Sequence, residues 1–441
     1  AVRSLVKTGE KKMNSVPVIK AALLGAGTVG GGVCQILEWQ KEEMPQKLGV
    51  SIELKKILVR DTAKKREGID SALLTDSWQE ILEDPEIQIV VEVMGGIEPA
   101  KTYILEALRA GKNVVTANKD LLAEYGREIL DTAEEYGRDL MFEAAVAGGI
   151  PIIRPLKQCL AANHITEVMG IVNGTTNYIL TRMTADHMEF SEALALAAEL
   201  GYAEADPTAD IEGFDAARKV AILASIAFNS RVTFQDVATE GITKITAADI
   251  SYASELGMVI KLLGVARNTA DGIEVGVYPM LLEASHPLAT VNDSFNAVFV
   301  HGDAVDDAMF LGRGAGKLPT GSAVVGDMFE IARNIQAGCT GKISCTCYKN
   351  LPVKPAEEMQ SRYFLRLSVE DRPGVLAGIA SVFGNNNVSI SQVIQKNVAE
   401  GTAEIVVITD LVLERHFRDA LLVMKEMSMV KEISSVLRVH G

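Results

Sequence analysis

The chain has 441 residues, 48% of them hydrophobic, and a formal net charge of −15 with a sequence pI near 5.0. This length predicts two to three domains, and the acidic balance argues against nucleic acid or an anionic membrane as partner and favours a small-molecule substrate. No apolar run reaches the roughly 20 residues that span a bilayer, and the N-terminus lacks a secretory signal pattern. We therefore expect a cytoplasmic protein, and the five cysteines, an odd number in a long chain, indicate reduced thiols.

The first part of the chain predicts a nucleotide-binding fold. Residues 1–16 form a polar leader, which we expect to be disordered or added to the natural chain. From 17 to 150, short β-branched runs alternate with helical stretches, and this alternation predicts an α/β fold with a doubly wound parallel sheet of the Rossmann type. The strand candidates are VIKAALLG, IELKKILV, IQIVVEVM, NVVTAN and LMFEAAV.

The rest of the chain predicts two further units. Residues 151–337 indicate an α+β domain for substrate binding and dimerisation, and a Cys-, Thr-, Lys- and Pro-rich stretch at 338–360 is typical of a linker. Residues 361–441 run strand, helix, strand, strand, helix, strand, which is the ferredoxin-like βαββαβ plan. The elements predicted in the α+β domain include helices at 189–200 and 210–229 and strands at 165–172, 273–282 and 296–301.

The stretch AALLGAGTVGGG carries a G-x-G-x-x-G pattern formed by Gly25, Gly27 and Gly30. It follows a buried strand and precedes a helix, near the start of a βαβ unit. Glycines there permit a tight turn and close approach to a pyrophosphate, whose charge the helix N-terminus meets. A dinucleotide site is therefore predicted, with a merely glycine-rich turn as the alternative.

The second strand ends in ILVRDTAKKR, with Arg60 where an NAD enzyme usually carries an acid for the ribose hydroxyls. An arginine at that position can receive the 2′-phosphate of NADP, so NADP is the favoured cofactor. The adjacent Asp61 could still bind a ribose, which keeps NAD open.

Two later strand ends carry charged candidates. Lys119, in VVTANKDLL, lies where a ligand crevice forms at the carboxyl ends of a parallel sheet, although a surface lysine at a helix start is the simpler account. Glu143, in FEAAVAGGIPII, precedes a glycine-rich bend whose carbonyl oxygens could complete a hard-cation site. An ordinary turn is the alternative there.

Other patterns are less specific. In GIVNGTTNYIL, helix capping alone could explain the threonines, and the glycines of LGRGAGKLPTGSAVVGD predict either a second loop over the cofactor or a turn before a helix. Cys339, Cys345 and Cys347 lack a C-x-x-C pair and a nearby histidine, so zinc is not predicted. The chain has no H-E-x-x-H, G-x-S-x-G or P-loop pattern.

The stretch GYAEADPTADIEGFDAARK, residues 201–219, places an acidic loop before an apolar helix. Asp215 and Lys219 are four residues apart and share a helix face that continues through Ile222 and Ile226. An exposed pair would contribute only about 0.2–0.5 kcal/mol, whereas a buried pair could exchange protons with a substrate. The residues alone leave both interpretations open.

Taken together, these segments closely resemble homoserine dehydrogenase, in the form with a C-terminal ACT domain. The likeness covers nearly everything from about residue 17 onward, and the matching segments occur in family order. The most specific are GAGTVG, TANKDLL, FEAAVAGGIPII, GIVNGTTNYIL, the 201–219 stretch and GRGAGKLPTGSAVVGD, with LSVEDRPGVLAGIASVFGNNNVSI resembling an ACT module.

The resemblance implies NAD(P)-dependent interconversion of L-aspartate 4-semialdehyde and L-homoserine, in the pathway to threonine, methionine and isoleucine. By likeness, Lys219 donates a proton to the carbonyl oxygen, Asp215 contacts the substrate, and Glu204 binds its amino group. Lys119 would lie between nicotinamide and substrate. The other acids of the stretch, Asp206, Asp210 and Glu212, are better assigned to turns and caps.

The resemblance also implies residues for the cofactor and a cation. A sodium-type ion of structural role would be held by Glu143 and by carbonyls of Val146, Gly148 and Ile150. The residues implied for the cofactor are Gly25, Gly27, Thr28, Val29, Gly30, Arg60, Lys119, Gly201 and Gly316.

Regulation and assembly are further expectations. The ACT module implies an amino-acid effector, plausibly threonine, near 371–376, with a ligand-free dimerisation module as the alternative. Family likeness suggests a homodimer or homotetramer. The competing functions are another NAD(P)-dependent amino-acid dehydrogenase and a regulatory protein that binds nucleotide and amino acid without turnover.

Overall fold

The computed structural model describes residues 16–342, 345–399 and 401–441, so the predicted leader lies almost wholly outside the described residues. Its first sheet consists of β1 (Val18–Leu24), β2 (Ser51–Leu58), β3 (Leu74–Thr75), β4 (Ile87–Glu92), β5 (Asn113–Thr116) and β6 (Leu140–Met141). All pairs are parallel, in the order β3-β2-β1-β4-β5-β6. This is the strand order of a Rossmann sheet, and it confirms the predicted doubly wound fold.

The helices of this part follow the strands as predicted. Gly27 is the N-cap of the first helix. The side chain of Asn118 caps the fifth helix by accepting a hydrogen bond from the backbone N–H of Leu121 at 3.1 Å. The predicted strand LMFEAAV is shorter than expected, because after β6 the chain turns into a 3₁₀ turn at Glu143–Ala145. The helices are α1 (Thr28–Gln40), α2 (Met44–Leu48), α3 (Trp78–Leu82), α4 (Ala100–Arg109) and α5 (Lys119–Glu135).

A mixed sheet follows. It contains β7 (Ile165–Ile171), β8 (Ala238–Thr239), β9 (Met258–Thr269), β10 (Gly272–Glu283), β11 (Phe295–Gly302) and β12 (Asp306–Arg313). The predicted strands at 165–172, 273–282 and 296–301 are confirmed, whereas β8, β9 and β12 were not predicted. Strand β9 was missed because it is buried on both faces, which removes the alternation of apolar and polar residues that indicates a strand.

The helices on this sheet differ from the prediction at one point. The helix predicted over 210–229 is two helices, because Gly213 has a φ of 84° and this left-handed conformation cannot continue an α-helix. The break lets α9 begin in a new direction with Asp215 in its first turn. The helices are α6 (Gly174–Ala185), α7 (Phe190–Glu199), α8 (Thr208–Ile211), α9 (Phe214–Ala227), α10 (Ala247–Glu255) and α11 (Lys317–Ala337).

The C-terminal unit has the predicted βαββαβ order with one short extra strand. It contains β13 (Gln360–Glu370), α12 (Val375–Asn385), β14 (Ile390–Ala399), β15 (Thr402–Thr409), β16 (Val412–Leu413), α13 (Glu414–Lys425) and β17 (Val430–Val439). Its sheet is not separate: β17 pairs in parallel with β10, at Met280–Arg438 and Leu281–Val439. The mixed sheet and the C-terminal sheet therefore form one sheet of 11 strands.

A buried arginine also joins the C-terminal unit to the rest. Arg366 of β13 donates from Nε to Asp249 of α10 at 2.9 Å and from Nη1 to Glu404 of β15 at 2.6 Å. The Asp249 side chain is fully buried, and Arg366 is its positively charged partner, while its other oxygen accepts from the backbone N–H and Oγ1 of Thr246. Among the described helices, none is long and apolar enough to cross a membrane.

We expect Arg366→Ala to destabilise the contact between the C-terminal unit and α10, because it leaves the Asp249 carboxylate buried without its partner. The expected loss is about 3–5 kcal/mol in the free energy of unfolding, measured by urea titration. The matched control is Lys396→Ala, which removes the half-exposed ion pair with Glu255 and should change stability by less than about 1 kcal/mol. Equal effects of both variants would contradict this account of the docking.

Candidate active site

The glycine loop after β1 is shaped for a pyrophosphate. A Cβ atom at Gly30 would lie 2.2 Å from the carbonyl oxygen of Gly25, so only glycine lets α1 approach the turn. At Gly27, by contrast, no atom lies within 4 Å of such a Cβ, and this open space lies at the N-terminus of α1. Thr28 and Val29 form the first turn of that helix. These observations fit a dinucleotide whose phosphates rest on the helix N-terminus.

Arg60 is exposed just beyond β2, at the position predicted for the ribose end of the cofactor. The neighbouring carboxylate of Asp61 is engaged in its own loop, where Oδ1 accepts from the backbone N–H of Ala63 at 2.9 Å and of Lys64 at 3.2 Å. In the part of the chain that the structure describes, Arg60 has no hydrogen-bond partner of its own. Its guanidinium is therefore the group available to a ligand.

A buried carboxylate links three elements of the site. Asp215, which is 9% exposed, places Oδ2 at 2.6 Å from Lys219 Nζ and Oδ1 at 3.4 Å from Lys119 Nζ. Lys219 belongs to the same helix, α9, whereas Lys119 is the first residue of α5 and follows β5 of the parallel sheet. The structure thus brings the predicted Asp215–Lys219 pair and Lys119 together. Of the two interpretations of this pair, exposed or buried, the structure supports the buried one.

Charges decide the protonation state of this cluster. Burial opposes ionisation of Asp215, but the charges of Lys219 and Lys119 and the hydrogen bonds to the carboxylate outweigh it and hold its pKa at about 2. Lys219 also donates to the carbonyl oxygen of Val172 at 2.8 Å. Because an ammonium has three N–H groups and the described residues accept two, one remains for a substrate oxygen.

Asn173 and Asp210 also belong to the site. Asn173 Nδ2 donates to Asp215 Oδ2 at 2.9 Å and to Asp210 Oδ1 at 2.7 Å, while its Oδ1 accepts from the backbone N–H of Thr176 and caps α6. The assignment of Asp210 to turn and cap duty was therefore wrong: α8 turns it towards the cluster, and burial raises its pKa. Asp206 does have the expected role, since it accepts from the backbone N–H of Thr208.

Glu204 and Gly201 lie on the exposed loop between α7 and α8. Gly201 has a φ of 76°, which suits a turn. Thr175 Oγ1 donates to the carbonyl oxygen of Tyr202 at 2.6 Å and ties this loop to the start of α6. Within the described residues, the Glu204 carboxylate has no hydrogen bond or ion pair, so it is available to a ligand.

Gly316 precedes α11, whose start packs against the nucleotide helix. A Cβ atom at Gly32 of α1 would lie 2.1 Å from the carbonyl oxygen of Lys317, so glycine is needed for this contact. The first residue of α11, Lys317, therefore contacts α1 directly after the glycine cluster.

The side chain of Glu143, which was predicted to bind a cation, already accepts hydrogen bonds from the protein. Its Oε1 accepts from the backbone N–H groups of Ile152 and Ile153, at 2.5 and 2.7 Å, and its Oε2 accepts from the backbone N–H and Nε of Arg154, at 2.9 and 3.2 Å. The carboxylate thus caps the turn that follows the glycine-rich bend. The backbone N–H of Glu143 in turn donates to the carboxylate of Asp327 in α11 at 2.8 Å.

The carbonyl oxygens of the bend are in a different situation. In the described chain, no hydrogen-bond donor reaches those of Val146, Gly148 and Ile150. A Cβ at Gly148 would lie 2.3 Å from the carbonyl oxygen of Gly314, so the bend packs directly on the second glycine loop. The carbonyls, unlike the Glu143 carboxylate, are free to meet a cation.

The site combines a dinucleotide loop with two lysines around one buried carboxylate, Lys119 at the carboxyl edge of the parallel sheet and Lys219 on α9. Hydride transfer to a carbonyl needs a reduced dinucleotide on one side and a proton for the oxygen on the other. This arrangement defines a nicotinamide-dependent oxidoreductase.

Comparisons with known proteins give the family. Residues 151–329 match the family model "Homoserine dehydrogenase", 25–143 match "Homoserine dehydrogenase, NAD binding domain", and 363–426 match "ACT domain". Homoserine dehydrogenase of Bacillus subtilis is 43% identical over 96% of this chain and 98% of its own length, and that of Corynebacterium glutamicum 46% over 95% of each. The chain belongs to the homoserine dehydrogenase family and is an oxidoreductase acting on a CH–OH group.

Solved structures agree. A homoserine dehydrogenase from Thiobacillus denitrificans matches with a TM-score of 0.92 and 41% identity, covering 96% of this chain and 98% of that one. The Staphylococcus aureus enzyme at pH 6.5 matches with a TM-score of 0.77 and 38% identity, covering 96% and 99%. A hyperthermophilic archaeal homoserine dehydrogenase mutant, solved in complex with NADPH, matches with a TM-score of 0.61 and 26% identity over 71% of this chain and 97% of its own.

We expect Lys219→Met to lower kcat by about 10²–10⁴-fold, because it removes the ammonium group whose third N–H has no acceptor among the described residues. The KM for the dinucleotide should stay near the wild-type value, since the glycine loop is untouched. Steady-state kinetics measure both. Lys244→Met, at an exposed lysine outside the cluster, is the control, and near-normal turnover of the Lys219 variant would end the assignment.

Proposed function

We propose that Lys219 is the proton donor when the chain reduces L-aspartate 4-semialdehyde to L-homoserine. The observation that carries this proposal is the position of Lys219 Nζ, held between Asp215 Oδ2 at 2.6 Å and the carbonyl oxygen of Val172 at 2.8 Å. When bound, the reduced nicotinamide supplies a hydride to the carbonyl carbon. The residues below act on the oxygen, on the substrate's charged groups and on each other.

Negative charge develops on the carbonyl oxygen as the reaction proceeds, and the ammonium of Lys219 stabilises it and then gives it a proton. Asp215 holds Lys219 in place and orients Lys119, so that both cations lie beside the same carboxylate. The unpartnered carboxylate of Glu204 suits the ammonium of an amino acid. Asp215 and Glu204 would together recognise the amino-acid part of the substrate.

The reaction is tested by the absorbance of the reduced nicotinamide after L-homoserine is added to the purified protein, with NADP and NAD in parallel. Reduction of either cofactor supports the proposal. No reduction by folded protein would favour another substrate or a sensor without turnover.

We propose NADP as the preferred cofactor. Asp61 is engaged in its own loop, whereas Arg60 is exposed and available, and a guanidinium binds a phosphate through two parallel hydrogen bonds. The exposed Lys64 and Lys65 follow closely and add positive charge. The NADPH complex of the archaeal relative gives independent support.

We expect Arg60→Ala to weaken the binding of NADP by about 10–100-fold relative to that of NAD, because hydrogen bonds to a charged group contribute about 1.5–3 kcal/mol. The ratio of kcat/KM for the two cofactors measures this. Arg109→Ala, an exposed arginine at the end of α4, should leave the ratio unchanged. An unchanged ratio in the Arg60 variant would exclude the 2′-phosphate contact.

We propose a monovalent cation of the sodium type at the glycine-rich bend. The carbonyls of Val146, Gly148 and Ile150 are the supporting groups, because no described donor reaches them. The Glu143 carboxylate already accepts from four N–H groups and would shape the bend rather than bind the ion through its side chain. The ion would be structural.

A homodimer or homotetramer is proposed from an edge of the sheet. In the described chain, β12 is an outer strand of the 11-stranded sheet, and it exposes Met309 and Leu311. An unpaired strand with exposed apolar residues favours pairing with a second copy. A cytoplasmic location remains a prediction.

We propose that the ACT unit binds an amino-acid effector, plausibly threonine, near 371–376. The exposed Asp371 could meet an ammonium, and the N-terminus of α12, capped by Gly374 with a φ of 91°, could meet a carboxylate. Nothing lies within 4 Å of a Cβ at Gly374, which leaves room for a ligand.

We expect millimolar L-threonine to lower the dehydrogenase rate of the wild-type enzyme, and Asp371→Ala to abolish this inhibition while keeping the basal rate. Asp410→Ala, another exposed aspartate of the same unit, is the control. An initial-rate titration measures the effect, and an unchanged wild-type rate would exclude threonine as inhibitor.

A further inference from the structure

Two cysteines lie where the segment after α11 crosses the end of α9. Cys347 Sγ donates to the carbonyl oxygen of Ser225 at 3.5 Å, and the backbone N–H of Lys349 donates to the carbonyl oxygen of Asn229 at 2.8 Å. These contacts anchor the segment. Cys345 is two residues earlier and lines the same cavity as Cys347.

The pair faces a cavity with two cations in its wall. The cavity, of about 40 Å³, is lined by apolar residues of α5 and α9, by Lys157 and Arg231, and by residues 345–347. Both cysteines are partly exposed, so a small reagent can reach them. The two positive charges favour a thiolate and disfavour a bound metal cation, which separates this pair from a metal site.

The two thiols differ in acidity. The side chain of Cys347 and the positive charges of Lys157 and Arg231 lower the pKa of Cys345 to about 6. The neighbouring Cys345 and burial raise the pKa of Cys347. Cys345 is therefore the more acidic thiol of the pair. Burial raises the pKa of Cys34 to about 11, so that thiol is inert by comparison.

We propose that Cys345 and Cys347 form a reversible thiol–disulfide site that a hydroperoxide oxidises. The Cys345 sulfur attacks hydrogen peroxide: an S–O bond forms, the O–O bond breaks, and the hydroxide released takes a proton to become water. The Cys347 sulfur then attacks the Cys345 sulfenic acid: the S–S bond forms, the S–O bond breaks, and the Cys347 proton leaves with the hydroxide as a second water. The two sulfurs give up two electrons, and the peroxide is reduced by them.

The full-length enzyme is treated with a small excess of hydrogen peroxide at pH 7, alkylated, and digested with trypsin. Cleavage after Lys342 and Lys349 releases both cysteines in one peptide, and Cys339 falls in the preceding one. The expected product is the 343–349 peptide without alkyl groups and lighter by two hydrogens, formed about tenfold faster than any change at the exposed Cys159 and reversed by dithiothreitol. Oxidation of Cys159 or Cys339 first, with both cysteines of the pair still alkylated, would overturn the proposal.

Single variants test the assigned order. Cys347→Ser should trap a sulfenic acid on Cys345 that dimedone captures, whereas Cys345→Ser should leave Cys347 unmodified under the same conditions. Arg231→Gln should slow oxidation of the pair, and Cys159→Ser should not change it. Equal reactivity of the two single variants would exclude the pair as a nucleophile and its resolving thiol.

Discussion

A buried carboxylate between two ammonium groups is the interaction on which the site depends. Burying Asp215 alone would cost several kcal/mol, so its ionised state requires both Lys219 and Lys119. These lysines come from different parts of the chain, one on α9 and one at the start of α5. The ion cluster therefore joins the helix that follows β5 of the parallel sheet to α9, which packs on the mixed sheet.

Other contacts between the parallel-sheet unit and the mixed-sheet unit also fix their relative position. The bend after β6 crosses from one sheet to the other, and the Glu143 carboxylate caps the turn that follows it. Asp327 of α11 accepts from the backbone N–H of Glu143, and the start of α11 lies against the glycine-rich face of α1. One helix thus contacts both the nucleotide side and the bend, which explains why glycines cluster at each crossing.

Local patterns predicted most elements and failed where burial or a single backbone angle decided. Alternation of strands and helices was enough for the parallel sheet and the βαββαβ unit. It missed β9, which is buried on both faces, and it ran one helix through Gly213, whose left-handed φ ends α8 and starts α9. Asp210 accepts a hydrogen bond from Asn173, which is distant in the chain, so its assignment to a cap was wrong for a tertiary reason.

The sequence by itself determined the glycine loop, the spacing of Asp215 and Lys219 on one helix face, and the family resemblance, because these depend on residues close together in the chain. Only the tertiary structure decided that this pair is buried, that Lys119 completes it, and that the Glu143 carboxylate is already occupied. It also decided that β17 joins β10 to make one sheet. Burial and long-range pairing depend on which distant segments meet, and no local pattern encodes that meeting.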